Sequence, residues 1–443
     1  MFEKEEKKLQ SLRENYQSAP IPERIDLAIE NGLQRAKQAP PKKKRYWPIL
    51  TAAAAILMTV LFGSIRVSPV FANFVSALPG MEAVVELIRD DKGLLSAVEN
   101  DYMQEVNASD EHGGLKITVD SVIVDEQGMA VFFTVNTSKD HMPVNIDNLS
   151  LKTANGRDLH PSSSVDSFQE SFQSGKPASS KMEFFFNEPL KEEKLVLDFT
   201  VYEPSFGRTK GQPNRFTFLL NIDKDAYQNQ KTEYMLNKTV SVAGQKITVK
   251  EVTVYPLRTA VRLQFAPDNI KKLFYFEDIR LVDGTGEPWS TIANGITATH
   301  PREDEQIVYL QSNYFQKPKE LYLAFSKIRA IDKNDSVVKI DPQTGTQLAG
   351  PKDGKLKLHK VTENEFIFHM KNNRKMQFFP FNEVLNSKGE DIASGSSGSW
   401  QTSDNIQEIT VSYDRKKLVP GPVSLKLTDY PAVLEEEVKI KIK

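Results

Sequence analysis

Twenty consecutive residues without a charge, 46–65 in "YWPILTAAAAILMTVLFGSI", follow directly on four cations, Lys42, Lys43, Lys44 and Arg45. At 1.5 Å rise per residue, a helix of this length spans roughly the 30 Å of bilayer hydrocarbon. This feature restricts the fold most strongly, because a chain that crosses a membrane once must fold its two sides separately. Pro48 stands where a helix start tolerates it, and Tyr46 and Trp47 are residue types that favour the headgroup boundary. Only Arg66 follows closely, so the bias of Lys and Arg towards the cytoplasm puts residues 1–45 inside and the long C-terminal part outside. Two other readings compete. A soluble core helix flanked by KKKR is difficult to bury. A cleaved secretion signal is favoured by Val70, Phe71 and Ala72, which put acceptable residues where a signal peptidase reads. Against it stand the long segment before the run and a run longer than the usual h-region of about 7–15 residues. The expectation is an uncleaved single-pass anchor.

The inner segment is too short for a core of its own. Residues 1–45 carry eleven Lys/Arg and seven Asp/Glu, a local charge of +4 in a chain whose net charge is −2. Outside Lys42 to Arg45 the cations are mixed with acids, which argues against direct nucleic-acid binding. A first helix is predicted over 3–16 and a second from Pro22, where Ile25, Ile29, Leu33 and Ala36 recur at spacings of four and three. Such a stripe is completed by a partner that offers an apolar groove, or else the helices are a solvated tail.

Beyond residue 105 the period changes from 3.6 to 2, and the chain repeats itself. "KITVDSVIVDEQGMAV" at 116–131 aligns without a gap on "KITVKEVTVYPLRTAV" at 246–261. "NLSLKTANGRD" falls on "DIRLVDGTGEP" at the same offset, with Gly156 and Gly286 in register. A weaker third copy runs from "KLKLHKVTENEFIFHM" to "NEVLNSKGED", where Gly389 takes the turn position. Each copy closes on a similar strand, "EKLVLDFTVYE", "KELYLAFSKI" and "PVSLKLTDYP". Short strands separated by Gly, Pro, Asn and Asp turns predict a mainly β chain of tandem antiparallel, immunoglobulin-like sandwiches. The expected divisions are 1–45, a transmembrane helix at 46–65, juxtamembrane helices at 66–105, and sandwiches at 106–230, 231–348 and 349–443. In "ITVDSVIV", Ile117 and Val119 face inward and Thr118 and Asp120 outward, and the change of phase near Ser121 and Val122 predicts a bulge. Before the first sandwich, Val84, Val85, Leu87 and Ile88, then Leu94, Leu95 and Val98, predict two short amphipathic helices broken at Lys92 and Gly93. Their expected role is a cap on the first sandwich, the rival being a helix lying on the membrane.

Nothing in the sequence assembles an enzyme or a cofactor site. There is no cysteine, which excludes disulfides, thiolate metal sites and thiol nucleophiles. The motifs G-x-S-x-G and H-E-x-x-H and the P-loop are absent. None of the six histidines has a partner at metal-ligand spacing, and His359 and His369 meet only if a hairpin joins them. Acidic stretches at 221–230 and 331–336 lack the ligand pattern of a calcium loop.

The order of parts, "IPERIDLAIENGLQRAKQ", then KKKR, the uncharged run, "SPVFANFVSALPGMEAVVELI" and "DYMQEVNASDEHGGLKITVDSVIVDEQGMAVFFTV", resembles the membrane-anchored anti-sigma factors of Bacillus and its relatives. More narrowly, it resembles the group whose outer part begins with a poorly characterised all-β domain. The resemblance implies that the inner segment binds an extracytoplasmic-function sigma factor, with Ile25, Ile29, Leu33 and Ala36 on the binding face. It also implies release by envelope proteases, cutting first near Val70, Phe71 and Ala72 and then within the span, where Gly63 weakens the helix. This chain departs from the many anti-sigma domains that carry a His/Cys zinc motif, so its inhibitory fold would rest on helices alone. The alternative is an anchored surface protein whose sandwiches bind wall polymer or another cell.

Overall fold

The computed structural model describes residues 82–443 apart from 139–143, 167–172, 187, 206–207, 291–297, 373–377, 395–397 and 404. The expected inner helices and membrane span lie outside the described residues. Among those described, no helix is long and apolar enough to cross a membrane.

The described chain is mainly β, and its strands form six antiparallel sheets. In the first copy, β1 (Gln104–His112), β2 (Leu115–Val124), β3 (Gly128–Thr137), β5 (Ser162–Val165) and β6 (Ala178–Phe185) form one sheet in the order β1-β2-β3-β6-β5. It faces a second sheet of β4 (Asn145–Thr153), β7 (Lys194–Ser205) and β8 (Arg208–Asn221). Ile117, Val119, Val131 and Phe133 from the first sheet meet Leu151, Leu197, Phe199 and Phe218 from the second in one core.

The second copy repeats this plan with β9 (Thr232–Val242), β10 (Gln245–Val254), β11 (Arg258–Phe265), β15 (Ala298–Arg302) and β16 (Glu305–Gln311). Its facing sheet holds β12 (Lys271–Phe276), β13 (Arg280–Asp283), β14 (Pro288–Trp289) and β17 (Leu321–Asp332). The third copy pairs β20 (Leu356–Val361), β21 (Glu365–Lys371), β23 (Gly398–Ser403) and β24 (Ile406–Ser412). Opposite them lie β18 (Val337–Asp341), β19 (Thr346–Ala349), β22 (Phe381–Leu385) and β25 (Val423–Leu427).

Local details recur with the repeat. The turn glycines Gly156, Gly286 and Gly389 all take positive φ, and each donates its N–H to the carbonyl three residues back. The bulge expected near Ser121 is present, with the register slipping between Val119 and Ser121; the slip recurs between Val249 and Glu251 and between Leu358 and Lys360. Asn107 and Asn237 take φ of 53° and 48° at matching irregularities in β1 and β9, a backbone that Asn tolerates better than most residues.

The chain's last strand breaks the tandem order. β26 (Val433–Lys441) pairs with β17, Leu323 opposite Ile440, and sends Val438 and Ile440, with Ile442 just beyond it, into the second core. In the first copy the corresponding edge of β7 is covered by β8, the next strand in sequence. After β17 the chain instead enters the third copy, where β18 covers β25. The second and third sandwiches are thus joined by two crossings of the chain. The second is complete only when the C-terminal strand returns.

Candidate functional site

Two helices precede the first sandwich, α1 (Glu82–Ile88) and α2 (Lys92–Glu99). The break lies one step earlier than expected: Asp91 caps α2 by accepting from the N–H groups of Gly93 and Leu94, both at 3.0 Å, so Lys92 and Gly93 open the helix. Val84, Ile88, Leu94, Ala97 and Val98 pack on Ile123, Ala130 and Phe132, the outward side chains of β2 and β3. This explains why β2 alternates up to its bulge and is buried on both faces after it. The helices also reach the second sandwich. Leu257 belongs to the same cluster, and a Cβ at Gly93 would lie 2.8 Å from the Ser312 backbone nitrogen and 3.0 Å from the Leu257 carbonyl oxygen. The pair therefore fills the angle between the first two sandwiches.

A buried charge relay closes this junction. Arg258, 4% exposed at the start of β11, reaches Asp91 with Nη1 at 2.7 Å and Glu183 of β6 with Nη2 at 2.9 Å. Lys181 holds the same Glu183 oxygen at 2.9 Å. One guanidinium from the second sandwich thus fastens both the cap of α2 and a strand of the first sandwich. Burial pushes the Glu183 carboxyl up, but Arg258 and Lys181 outweigh it and hold it below its ordinary value. Asp125, in the β2–β3 turn, accepts from the N–H groups of Gln127 and Gly128 with one oxygen and from that of Leu257 with the other, at 2.8 to 2.9 Å. Complete burial outweighs these bonds and pushes its carboxyl up to about 6. Asp125, Gly128, Glu183 and Arg258 line a cavity of about 10 Å³, scarcely room for one water. Around this centre Lys92 Nζ reaches the Pro288 carbonyl at 2.9 Å, Gln311 Nε2 donates to the Asp90 carbonyl at 3.0 Å, and Phe185 packs on Tyr309. The arrangement is a clamp: it fastens the helix pair to both of the first two sandwiches.

The sequence reading missed Arg258, Glu183, Asp91 and Asp125. The available signal was a mismatch inside the best repeat, for Gly128 in "DEQGM" stands where the second copy has Arg258 in "YPLRT". These equivalent turns touch each other, Asp125 accepting from Leu257. The expected partner face (Ile25, Ile29, Leu33, Ala36), the cations expected to set topology (Lys42, Lys43, Lys44, Arg45) and the expected cleavage segment (Val70, Phe71, Ala72) lie outside the described residues. Among the described histidines, His112 and His160 pair with the nearby Asp110 and Asp158, and His300 sits edge-on to Tyr275. The β20–β21 hairpin brings His359 and His369 together. In the acidic stretches, Asp223 caps the short helix α3 (Lys224–Tyr227) and Asp332 pairs with Lys271.

Residues 42–137, which hold the four cations, the uncharged run, the clamped helices and β1 to β3, match the model described as "Domain of unknown function (DUF4179)". Residues 231–358 match "Family of unknown function (DUF5643)". The resemblance to Bacillus-type anti-sigma factors stands. The chain is 40% identical over 86 residues, 19% of its length, to the Anti-sigma-V factor RsiV of Bacillus subtilis (strain 168), and the match spans 28% of that relative. A crystal structure of a conserved domain protein from Bacillus anthracis is similar at 12% identity and a TM-score of 0.35, over 56% of this chain and 84% of that one.

Proposed function

We propose that this protein is a single-pass membrane anti-sigma factor. Residues 1–45 sequester an extracytoplasmic-function sigma factor through the face of Ile25, Ile29, Leu33 and Ala36. The run 46–65 anchors the chain, and an envelope signal releases the sigma factor through proteolysis that begins near Val70, Phe71 and Ala72. The observation that carries this reading is the 40% identity to an anti-sigma factor. The sequence supports the topology through Lys42 to Arg45 ahead of the uncharged run. The clamp adds a physical rationale: α1 starts ten residues after Ala72, so a fastened α1–α2 pair tethers the chain close to where cleavage is expected.

The test replaces Ile25, Ile29 and Leu33 together with Asp in the full chain and measures transcription genome-wide and membrane content of the protein. An anti-sigma factor so altered still reaches the membrane, and one set of promoters turns on without any signal. Unchanged transcription with the protein in place would return residues 1–45 to a topogenic tail.

A further inference from the structure

The bulge shared by the three sandwiches puts three side chains in a row across three strands, on the face turned away from the core. In the first copy the extra residue is Asp120, Thr134 lies diagonally across from it, opposite Thr118, and Thr134 stands in register with Ser179. These side chains converge: Thr134 Oγ1 lies 2.8 Å from Asp120 Oδ2 and 3.1 Å from Ser179 Oγ. In the second copy the same places hold Lys250, Gln264 and Glu305, with Gln264 in register with Glu305. In the third they hold His359, His369 and Glu408, with His369 in register with Glu408.

We propose that His359, His369 and Glu408 bind a divalent transition-metal ion of the zinc class on the outer face of the third sandwich. The donor set is two imidazoles and a carboxylate, which suits such an ion and leaves a coordination position for water or a further ligand. His369 Nε2 already lies 3.1 Å from Glu408 Oε2, and the two imidazole rings stack at 3.9 Å between centroids and 13° between planes. Two nitrogens on one zinc ion, each about 2 Å from it, are roughly 3 Å apart, so ring rotation and a small closure suffice. As the side chains stand, no three His, Asp or Glu donors among the described residues meet at one point. The first copy shows that side chains at these positions can converge. His359 is exposed on the bulged strand and can turn without disturbing the core. Lys357, in register with His369, is the neighbouring cation that opposes binding. The second copy lacks the donors, and its Glu305 is taken by Arg262.

The experiment is calorimetric titration of the purified full chain with zinc chloride, alongside His359→Gln, His369→Gln and Glu408→Gln. The expected result is one saturable site that weakens in each variant by more than the roughly 10- to 100-fold that loss of an outer-shell partner causes. All three variants should keep the parent's melting temperature in chelator, because the substitutions lie on an outer sheet face. His112→Gln should leave the site unchanged. No saturable binding, or binding undiminished in His369→Gln, overturns the proposal.

Discussion

Replacing Arg258 with Met tests whether the junction is held as described. The guanidinium is buried and bonded to Asp91, to Glu183 and to the Leu257 carbonyl. Met fills most of its volume but leaves Glu183, 2% exposed, with Lys181 as its one described cation. Breaking a buried pair by removing one partner typically costs about 3–5 kcal/mol. Since Lys181 remains and Asp91 keeps its cap, the lower end applies, about 3 kcal/mol. The loss should be local. Hydrogen exchange in the full chain should show the amides of Leu94 to Val98 opening roughly 100-fold more often, at about 1.4 kcal/mol per tenfold. Protection in β24 and β25 should be unchanged. Adding Glu183→Gln to Arg258→Met removes the stranded charge and should restore part of the protection. Unchanged exchange in α2, or a double variant no better than the single one, would refute the clamp.

Three further outcomes follow from the same geometry. Gly93→Ala gains about 1 kcal/mol of helix propensity, yet its Cβ would press on the Ser312 nitrogen and Leu257 carbonyl, so α2 should exchange faster, and equal or slower exchange would contradict the packing. Asp125 binds its proton more tightly in the folded chain than its ordinary value of 3.8 allows, so its contribution to stability falls as pH rises from about 4 to about 6, by about 3 kcal/mol, and is level above that. Asp429, also pushed up to about 6 by burial, adds a similar slope in the third sandwich. In denaturant unfolding, Asp125→Asn should lose stability less steeply than the parent as pH rises across this range; an unchanged slope would exclude Asp125 as a source. Ending the chain after Ala432 removes Val438, Ile440 and Ile442 from the second core, at roughly 1.5–3 kcal/mol each, a large part of an ordinary domain's stability. Limited proteolysis should then cut β9 to β17 rapidly while the first sandwich persists, and equal resistance would contradict the strand's placement.

The sequence announced features that are local. Turn glycines, the bulge beside Ser121 and the apolar alternation of β2 and β10 depend on neighbours a few residues away, and all were legible. The helix pair was legible from its apolar spacing; its true break was not, because Asp91 caps through a side chain while Gly93 looked like a stop. Which strand completes which sheet was hidden. "LEEEVKIKI" can cover the edge of β17 or of β25 by its alternation alone, and contacts across a hundred residues decide. Arg258 was hidden for a related reason, since its partners come from α2 and β6, far away in sequence. The His359 and His369 pair needed both a hairpin and a bulge in the right phase, and only the comparison of three copies shows that the bulge is general.

Residues 1–45 are proposed to hold a sigma factor. The direct measurement is co-purification of the tagged full chain from its own cells, with mass spectrometry of what accompanies it, for the parent and for the variant with Ile25, Ile29 and Leu33 changed to Asp. One small sigma factor, recovered with the parent and lost with the variant, is the expected result. Recovery of no sigma factor with the parent, or of the same one with both proteins, would contradict the account.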